Sequence, residues 1–149
     1  MEIKPLYVDV SNARNEEYKK LLQEIADNGD DPFSREFIEK YHGKPIIKTG
    51  TYWYITPSKQ PYPNAKYNFL FISNFYAETV KDLDPAAFAE LQQLHIEICE
   101  EYQIDGGALC MRFGKTSATG ATVKRLHAQL IVSDPTQGSV LFPIGKKLK

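Results

Sequence analysis

The sequence has few cysteines, no long apolar run and almost no net charge. Its two cysteines, Cys99 and Cys110, are not part of a C-x-x-C pair, which argues against a disulfide framework, a metal site and a redox motif. No run approaches the roughly 18 apolar residues of a membrane-spanning helix, and the N-terminal MEIKPLYVDV lacks the basic and apolar regions of a signal peptide. We therefore expect a cytoplasmic protein with no membrane partner. The net charge of −1 gives no reason to expect a nucleic acid partner.

The length and composition predict one globular domain. A chain of 149 residues can bury a hydrophobic core without disulfides or metal ions. Its hydrophobic share of 42% and charged share of 25% are typical of folded proteins. The charges are uneven: residues 106–133 contain four Lys and Arg residues and no acid, whereas residues 78–101 contain seven acids and one lysine. The acid-free stretch favours an anionic ligand, although a solvated basic face would have the same composition.

The sequence patterns predict an α+β domain with a central, mostly antiparallel sheet of about five strands. Helical spacing predicts a first helix that ends at Gly29 and a short second helix between Pro32 and Gly43. The Asp84–Pro85 pair predicts the start of a long crossover helix that runs to about Tyr102. The proline-rich PSKQPYPN is predicted to be a loop that borders a pocket. The predicted strands are KPIIK, TYWYIT, AKYNFLFIS, ALCMRFG and a long final strand from Val123.

The final strand carries the candidate site. Because side chains alternate along a strand, Arg125, His127 and Gln129 are expected on one face, opposite an apolar set that consists of Leu126, Ala128, Leu130 and Val132. A neutral imidazole at His127 can attack phosphorus and hold the phosphoryl or nucleotidyl group as a covalent phosphoramidate. Arg125 would disfavour protonation of His127 and offset phosphate charge. The Gln129 amide can donate to a phosphate oxygen.

A turn rich in glycine and hydroxyl groups precedes this strand. The segment KTSATGAT, residues 115–122, offers the components of an anion-binding loop. Lys115 and Arg112 are candidate substrate-binding cations, and the candidate phosphate-binding positions of the turn are Thr116, Ser117, Thr119, Gly120 and Thr122. Each residue taken singly also fits a structural role. His127 would then be a packed histidine, Arg125 and Gln129 would be solvated, and the turn would be an ordinary hairpin.

The segment RLHAQLIV, residues 125–132, resembles the signature of the histidine triad (HIT) superfamily of nucleotide hydrolases and transferases. That signature is H-x-H-x-H, or H-x-H-x-Q in the transferase branch, followed by hydrophobic residues. The resemblance extends back through GATV at residues 120–123 and covers roughly residues 31–134. It implies one HIT-like domain over residues 1–149, with an N-terminal helical extension at 1–30 and a C-terminal tail at 135–149.

The resemblance also implies roles for individual residues. The central histidine of the motif is the nucleophile in the family and corresponds to His127. Gln129 occupies the third position, where glutamine marks the transferase branch. Gly120 and Thr122 match positions that bind phosphate through a backbone N–H and a hydroxyl.

Other positions depart from the family pattern. Arg125 replaces the first histidine of the motif. Tyr67 stands where the family often has a histidine, and residues 73–76 read SNFY instead of P-K-x-H. The C-P-F-C of zinc-bearing members appears as DPFS at residues 31–34, so no zinc is expected, and no other cofactor is implied.

The resemblance implies an enzyme that works through a covalent nucleotidyl group on His127. Its substrate would be a nucleoside phosphoramidate, a dinucleoside polyphosphate or a related nucleotide, and the reaction hydrolysis or transfer. The alternative is a catalytically impaired nucleotide-binding or sensing protein of the same fold, which the replaced histidine favours. Family members are commonly homodimers, so a homodimer is expected. His95, interpreted as a packed or interface residue, and His42, interpreted as a charge on a helix dipole, receive no catalytic role.

Overall fold

A computed structural model describes residues 3–146 of the chain. Within this range, the chain forms five strands and four α-helices. Two short 3₁₀ helices lie at Val10–Asn12 and Val80–Asp82. In chain order the elements are α1 (Glu16–Asn28), α2 (Ile38–Tyr41), β1 (Lys48–Thr49), β2 (Trp53–Pro57), β3 (Ala65–Ser73), α3 (Ala86–Glu101), β4 (Ala108–Arg112), α4 (Thr116–Thr119) and β5 (His127–Ser133).

The five strands form one sheet in the order β1-β2-β3-β5-β4, and every neighbouring pair is antiparallel. The long helix α3 connects β3 to β4, which lie on either side of β5. This arrangement confirms the predicted α+β class, the central antiparallel sheet and the long crossover helix. None of the helices in residues 3–146 is long and apolar enough to cross a lipid bilayer.

One face of the sheet packs against α3. Leu126, Ala128 and Leu130 are buried on this face, as the alternation of side chains predicts. Each large apolar side chain that is fully buried contributes about 1.5–3 kcal/mol to stability. The same cluster contains Trp53, Ile55, Phe69 and Phe71 from the sheet and Ala87, Leu91, Leu94 and Ile98 from α3.

The N-terminal helix α1 covers part of the opposite side of the molecule. The side chain of Asn15 accepts a hydrogen bond from the Tyr18 N–H at 2.7 Å and caps its N-terminus. Gly29 ends the helix in the left-handed conformation, with φ of 70°. The buried side of α1 joins a second apolar cluster that contains Leu22, Ile25, Val8, Tyr41 and Val123. This cluster forms one wall of the cavity described below.

The predicted second helix is shorter in the structure. An α-helix spans only Ile38–Tyr41, so the prediction that it starts directly after Pro32 is wrong. The Asp31 carboxylate accepts a hydrogen bond from the Phe33 N–H, and the Asp31 carbonyl accepts one from the Ser34 N–H. These bonds fold residues 31–34 into a turn in place of helix.

The final strand also starts later than predicted, at His127 instead of Val123. Val123 forms only an isolated bridge with Val8. The Leu126 N–H donates to the carbonyl of Ala77, outside the sheet ladder, at 2.7 Å. Because Arg125 precedes the strand, side-chain alternation does not fix the direction of its side chain.

Candidate active site

A cavity with a volume of about 120 Å³ lies on the face of the sheet opposite α3. His127 and Gln129 from β5 and Arg112 from β4 line it, together with residues of the 120–123 turn. Ser58, Lys59, Gln60 and Tyr62 also line it, which confirms that the PSKQPYPN loop borders a pocket. Pro143 and Gly145 of the C-terminal segment close one side.

The imidazole of His127 is held in one tautomer by the backbone. Its Nδ1 lies 2.9 Å from the carbonyl oxygen of Arg125, which can only accept a hydrogen bond. Nδ1 therefore carries the proton when the ring is neutral, and Nε2 keeps its lone pair. Within residues 3–146 no hydrogen bond is made to Nε2, so this nitrogen is available to a ligand.

The environment of His127 keeps the ring neutral. Burial, the largest cause, and the positive charge of Arg112 together lower the pKa of His127 to about 4. The hydrogen bond to the Arg125 carbonyl acts in the opposite direction but does not outweigh burial. A neutral imidazole with a free Nε2 is the form that a nucleophile requires.

This lowered pKa predicts a loss of stability in mild acid. The unfolded chain binds a proton at His127 below about pH 6.5, but the folded chain does so only near pH 4. The stability that neutral His127 contributes is complete above its pKa in the unfolded chain. It is lost as the pH falls toward its pKa in the folded chain. We expect the free energy of unfolding, measured by urea titration, to fall by about 3 kcal/mol from this group between about pH 7.5 and pH 4. In His127→Gln that component should be absent, and an equal loss in both proteins would contradict the assignment.

Gln129 is oriented by a chain of amide groups. The Tyr62 N–H donates to Asn68 Oδ1 at 3.3 Å, which fixes the Asn68 amide. Asn68 Nδ2 then donates to Gln129 Oε1 at 3.2 Å. The Gln129 NH₂ group is thereby left to donate to a ligand oxygen in the cavity. Asn68 was not predicted as a site residue. Its position was a signal, because a single amide directly precedes the apolar run FLFI within the strand.

Three cations line the cavity: Arg14, Lys59 and Arg112. Within residues 3–146 no Asp or Glu lines it, and none of the three cations forms an ion pair. Their hydrogen-bond acceptors are neutral, since each donates to a backbone carbonyl: Gln60, Tyr41 and Pro143 respectively. The cavity therefore has an excess of positive charge that an anionic ligand would neutralise. Arg14 and Lys59 were not predicted as site residues.

The 120–123 turn reaches the cavity as expected, but its hydrogen bonds differ from the prediction. Thr122 Oγ1 lies 3.0 Å from the hydroxyl of Tyr18. The Gly120 N–H already donates to the Thr116 carbonyl at 2.9 Å, so it is not free to bind phosphate. Gly120 has a φ of 77°, and a Cβ there would overlap the Gly145 carbonyl oxygen. Glycine is thus needed for the shape of the turn. Lys115 does not line the cavity.

Arg125 lies outside the cavity, contrary to the expectation that it shares a face with His127 and Gln129. Its guanidinium is buried and donates to the carboxylate of Asp31 at 2.7 Å. It also donates to the carbonyls of Ser73 at 2.8 Å and Asn74 at 2.7 Å. These acceptors turn the side chain away from the cavity. Arg112, not Arg125, is the cation that lowers the pKa of His127.

His42 also lines the cavity, although no ligand role was predicted for it. Its Nε2 lies 2.8 Å from the carbonyl of Pro57, and burial lowers its pKa. The ring is therefore neutral near pH 7, and the interpretation as a charge on a helix dipole is wrong. The Phe33 ring lies edge-on between His42 and His127, with centroid distances of 6.2 Å and 5.1 Å.

No protein-family model and no curated protein matches the chain. Comparison with solved structures did give matches. A HIT family hydrolase from Clostridium thermocellum matches with a TM-score of 0.55 and 18% identity over 71% of this chain and 93% of that chain. A histidine triad nucleotide-binding protein from Candida albicans gives a TM-score of 0.57 and 12% identity over 76% and 83% of the two chains.

A third similar structure is the diadenosine triphosphate hydrolase of Plasmodium falciparum, solved with cyclomarin A. Its TM-score is 0.52 with 18% identity, over 62% of this chain and 63% of that chain. These likenesses show that the chain has the histidine triad fold, as the RLHAQLIV motif predicts. His127 lies at the start of β5 in this fold, on the face of the sheet that holds the cavity.

Proposed function

We propose that this protein hydrolyses or transfers nucleoside monophosphate groups through a covalent nucleotidyl-histidine on His127. The observation that carries the proposal is the hydrogen bond from Nδ1 to the Arg125 carbonyl, which leaves the Nε2 lone pair beside a cationic cavity. The similarity to HIT family hydrolases and nucleotide-binding proteins supports the same class of substrate.

The proposed reaction has two displacement steps at phosphorus. The Nε2 lone pair forms a bond to phosphorus while the bond from phosphorus to the leaving group breaks; the electron pair of that bond stays on the leaving group, which takes up a proton from solvent where it is an amine. In hydrolysis, a water oxygen then bonds to phosphorus, the nitrogen–phosphorus electron pair returns to Nε2, and the water gives up a proton to solvent. In transfer, a phosphate or hydroxyl acceptor takes the place of water.

The cavity residues would stabilise charge on the reacting phosphate. The Gln129 NH₂ group is oriented to donate to a non-bridging oxygen, and the Thr122 hydroxyl lies in the same lining. Arg112 donates to the neutral carbonyl of Pro143 and to the Tyr62 hydroxyl at 3.3 Å. A phosphate oxygen would replace these with stronger, charge-assisted hydrogen bonds. Arg14 and Lys59 extend the positive charge, which favours a substrate with more than one phosphate.

The second candidate is a nucleotide-binding or sensing protein with little turnover. The contact of Arg112 with the C-terminal segment favours it, because a cation needed for catalysis is already bound within the chain. One experiment separates the two candidates. The protein is incubated with nucleoside phosphoramidates and dinucleoside polyphosphates, quenched in alkali, and searched by mass spectrometry for a nucleotidyl adduct.

An adduct on His127 together with released nucleotide is the expected result. Alkali is used because phosphohistidine-type N–P bonds are labile in acid. Tight binding without adduct or product would contradict the enzymatic proposal and support the sensor.

We also propose that the protein forms a homodimer, as the resemblance implies. The strand β4 lies at an edge of the sheet, and Leu109 on this strand is exposed. Phe88 and Ile96 on α3 are exposed as well. Such an edge and apolar side chains are suited to an isologous interface. Light scattering during gel filtration measures the mass, and a monomer at all concentrations would refute the dimer.

A further inference from the structure

We propose that the buried pair of Asp31 and Arg125 positions the His127 imidazole for attack. This inference rests on the proposed function, since it assigns a role in the same reaction. Neither residue contacts the cavity by its charged group, so both are positioning residues and not catalytic ones.

The Arg125 side chain is fixed at three points. Its Nε, Nη1 and Nη2 atoms donate to three acceptors from two different segments, which are the Ser73 carbonyl, the Asp31 carboxylate and the Asn74 carbonyl. The planar guanidinium cannot rotate without breaking several of these bonds. Because Arg125 precedes β5, the sheet ladder does not hold its backbone. The peptide that carries the Arg125 carbonyl is also held by its Leu126 N–H, which donates to the Ala77 carbonyl at 2.7 Å. The Arg125 side chain adds a second anchor to the same residue, and together they keep the carbonyl where it accepts the His127 Nδ1–H bond.

Asp31 also connects this pair to Phe33, whose ring packs against the imidazole. One carboxylate oxygen accepts from Arg125, and the other accepts from the Phe33 N–H at 3.1 Å. The Phe33 ring meets His127 at an interplanar angle of 90° and a centroid distance of 5.1 Å. The Asp31 carboxylate thus connects Arg125, whose carbonyl selects the His127 tautomer, to Phe33, whose ring packs against the imidazole.

Two variants test this role. Asp31→Asn keeps the size of the side chain and removes the charge. The double variant Asp31→Leu/Arg125→Met removes both charges and leaves no unpaired buried ion. It therefore keeps the test possible if the single variant does not fold. In the wild type we expect the ¹⁵N NMR spectrum to show a protonated Nδ1 and an unprotonated Nε2 at His127. In both variants we expect the two nitrogen signals to shift toward an average of the two tautomers, with kcat lower on the order of 100-fold and KM nearly unchanged.

Phosphate affinity distinguishes positioning from direct binding by Arg125. Inorganic phosphate is titrated by calorimetry into the wild type, the double variant, Arg112→Met and Lys115→Met. We expect Arg112→Met to weaken phosphate binding about tenfold, and the double variant and Lys115→Met to leave it within about twofold of the wild type. If the double variant loses affinity as Arg112→Met does and keeps the His127 tautomer, Arg125 binds phosphate and the positioning role is wrong.

The tautomer measurement needs no substrate and therefore separates this inference from the proposed function. A wild-type protein without turnover, whose His127 tautomer changes in the variants, would refute the enzyme but support the positioning role. An active wild type whose tautomer and kcat are unaffected by both variants would refute the positioning role alone.

Discussion

His127→Ala is expected to abolish turnover of every nucleotide that the wild type cleaves, with kcat lower by at least about 10,000-fold. The substitution removes the nucleophile itself, so the covalent adduct cannot form. The remaining cations of the cavity, Arg14, Lys59 and Arg112, should still bind the nucleotide. Initial rates of nucleotide release, measured by chromatography, check the expectation, and the dissociation constant should change by less than about tenfold.

His95→Ala is the matched control for this experiment. His95 is also a partly exposed histidine, but it lies on α3, on the other side of the sheet from the cavity. We expect its kcat to equal that of the wild type. Turnover in His127→Ala above a tenth of the wild-type rate would mean that another group, or water activated directly, attacks phosphorus.

Elements whose limits are set by local sequence were predicted well. β3 has the limits of the run AKYNFLFIS, because strand-forming residues fill it and a proline-rich loop precedes it. The first turn of α3 follows from Asp84, whose carboxylate accepts a hydrogen bond from the Ala86 N–H at 2.8 Å. The start of β5 was not predictable in this way. The residues before it bond to distant segments outside the ladder, the Leu126 N–H to Ala77 and the Arg125 side chain to Asp31 and Ser73, which are 94 and 52 residues from Arg125 in sequence.

In the candidate site too, residues close in sequence were predicted and residues brought together by distant contacts were not. His127, Gln129 and Thr122 reach one cavity because the strand and its preceding turn are continuous in sequence. Arg14 and Lys59 come from separate segments, and no spacing rule connects a cation in an N-terminal loop to a strand more than 100 residues later. Arg125 was assigned to the cavity because alternation was applied to a residue outside the strand. Its long side chain instead forms an ion pair with the buried carboxylate of Asp31.

The buried ion pair should also have a large effect on stability. Asp31 and Arg125 have side-chain exposures of only 9% and 7%, so either charge is poorly solvated when the other is removed. We expect Asp31→Asn, which leaves Arg125 buried and unpaired, to lower the free energy of unfolding by about 3–5 kcal/mol. Urea unfolding at neutral pH measures this change. Arg125→Met should have a cost of similar size, because it leaves the carboxylate unpaired.

The double variant Asp31→Leu/Arg125→Met is expected to be more stable than either single variant, because apolar groups replace both charges and no buried ion remains unpaired. The surface pair of Lys48 and Glu101 provides the control: its atoms are 2.6 Å apart, but the Glu101 side chain is 53% exposed. Water screens this pair, so Glu101→Gln should cost less than about 1 kcal/mol. If the two single changes at Asp31 and Arg125 simply add in the double variant, the residues do not stabilise each other. The proximity of the two charges would then be a consequence of the fold and not a cause of its stability.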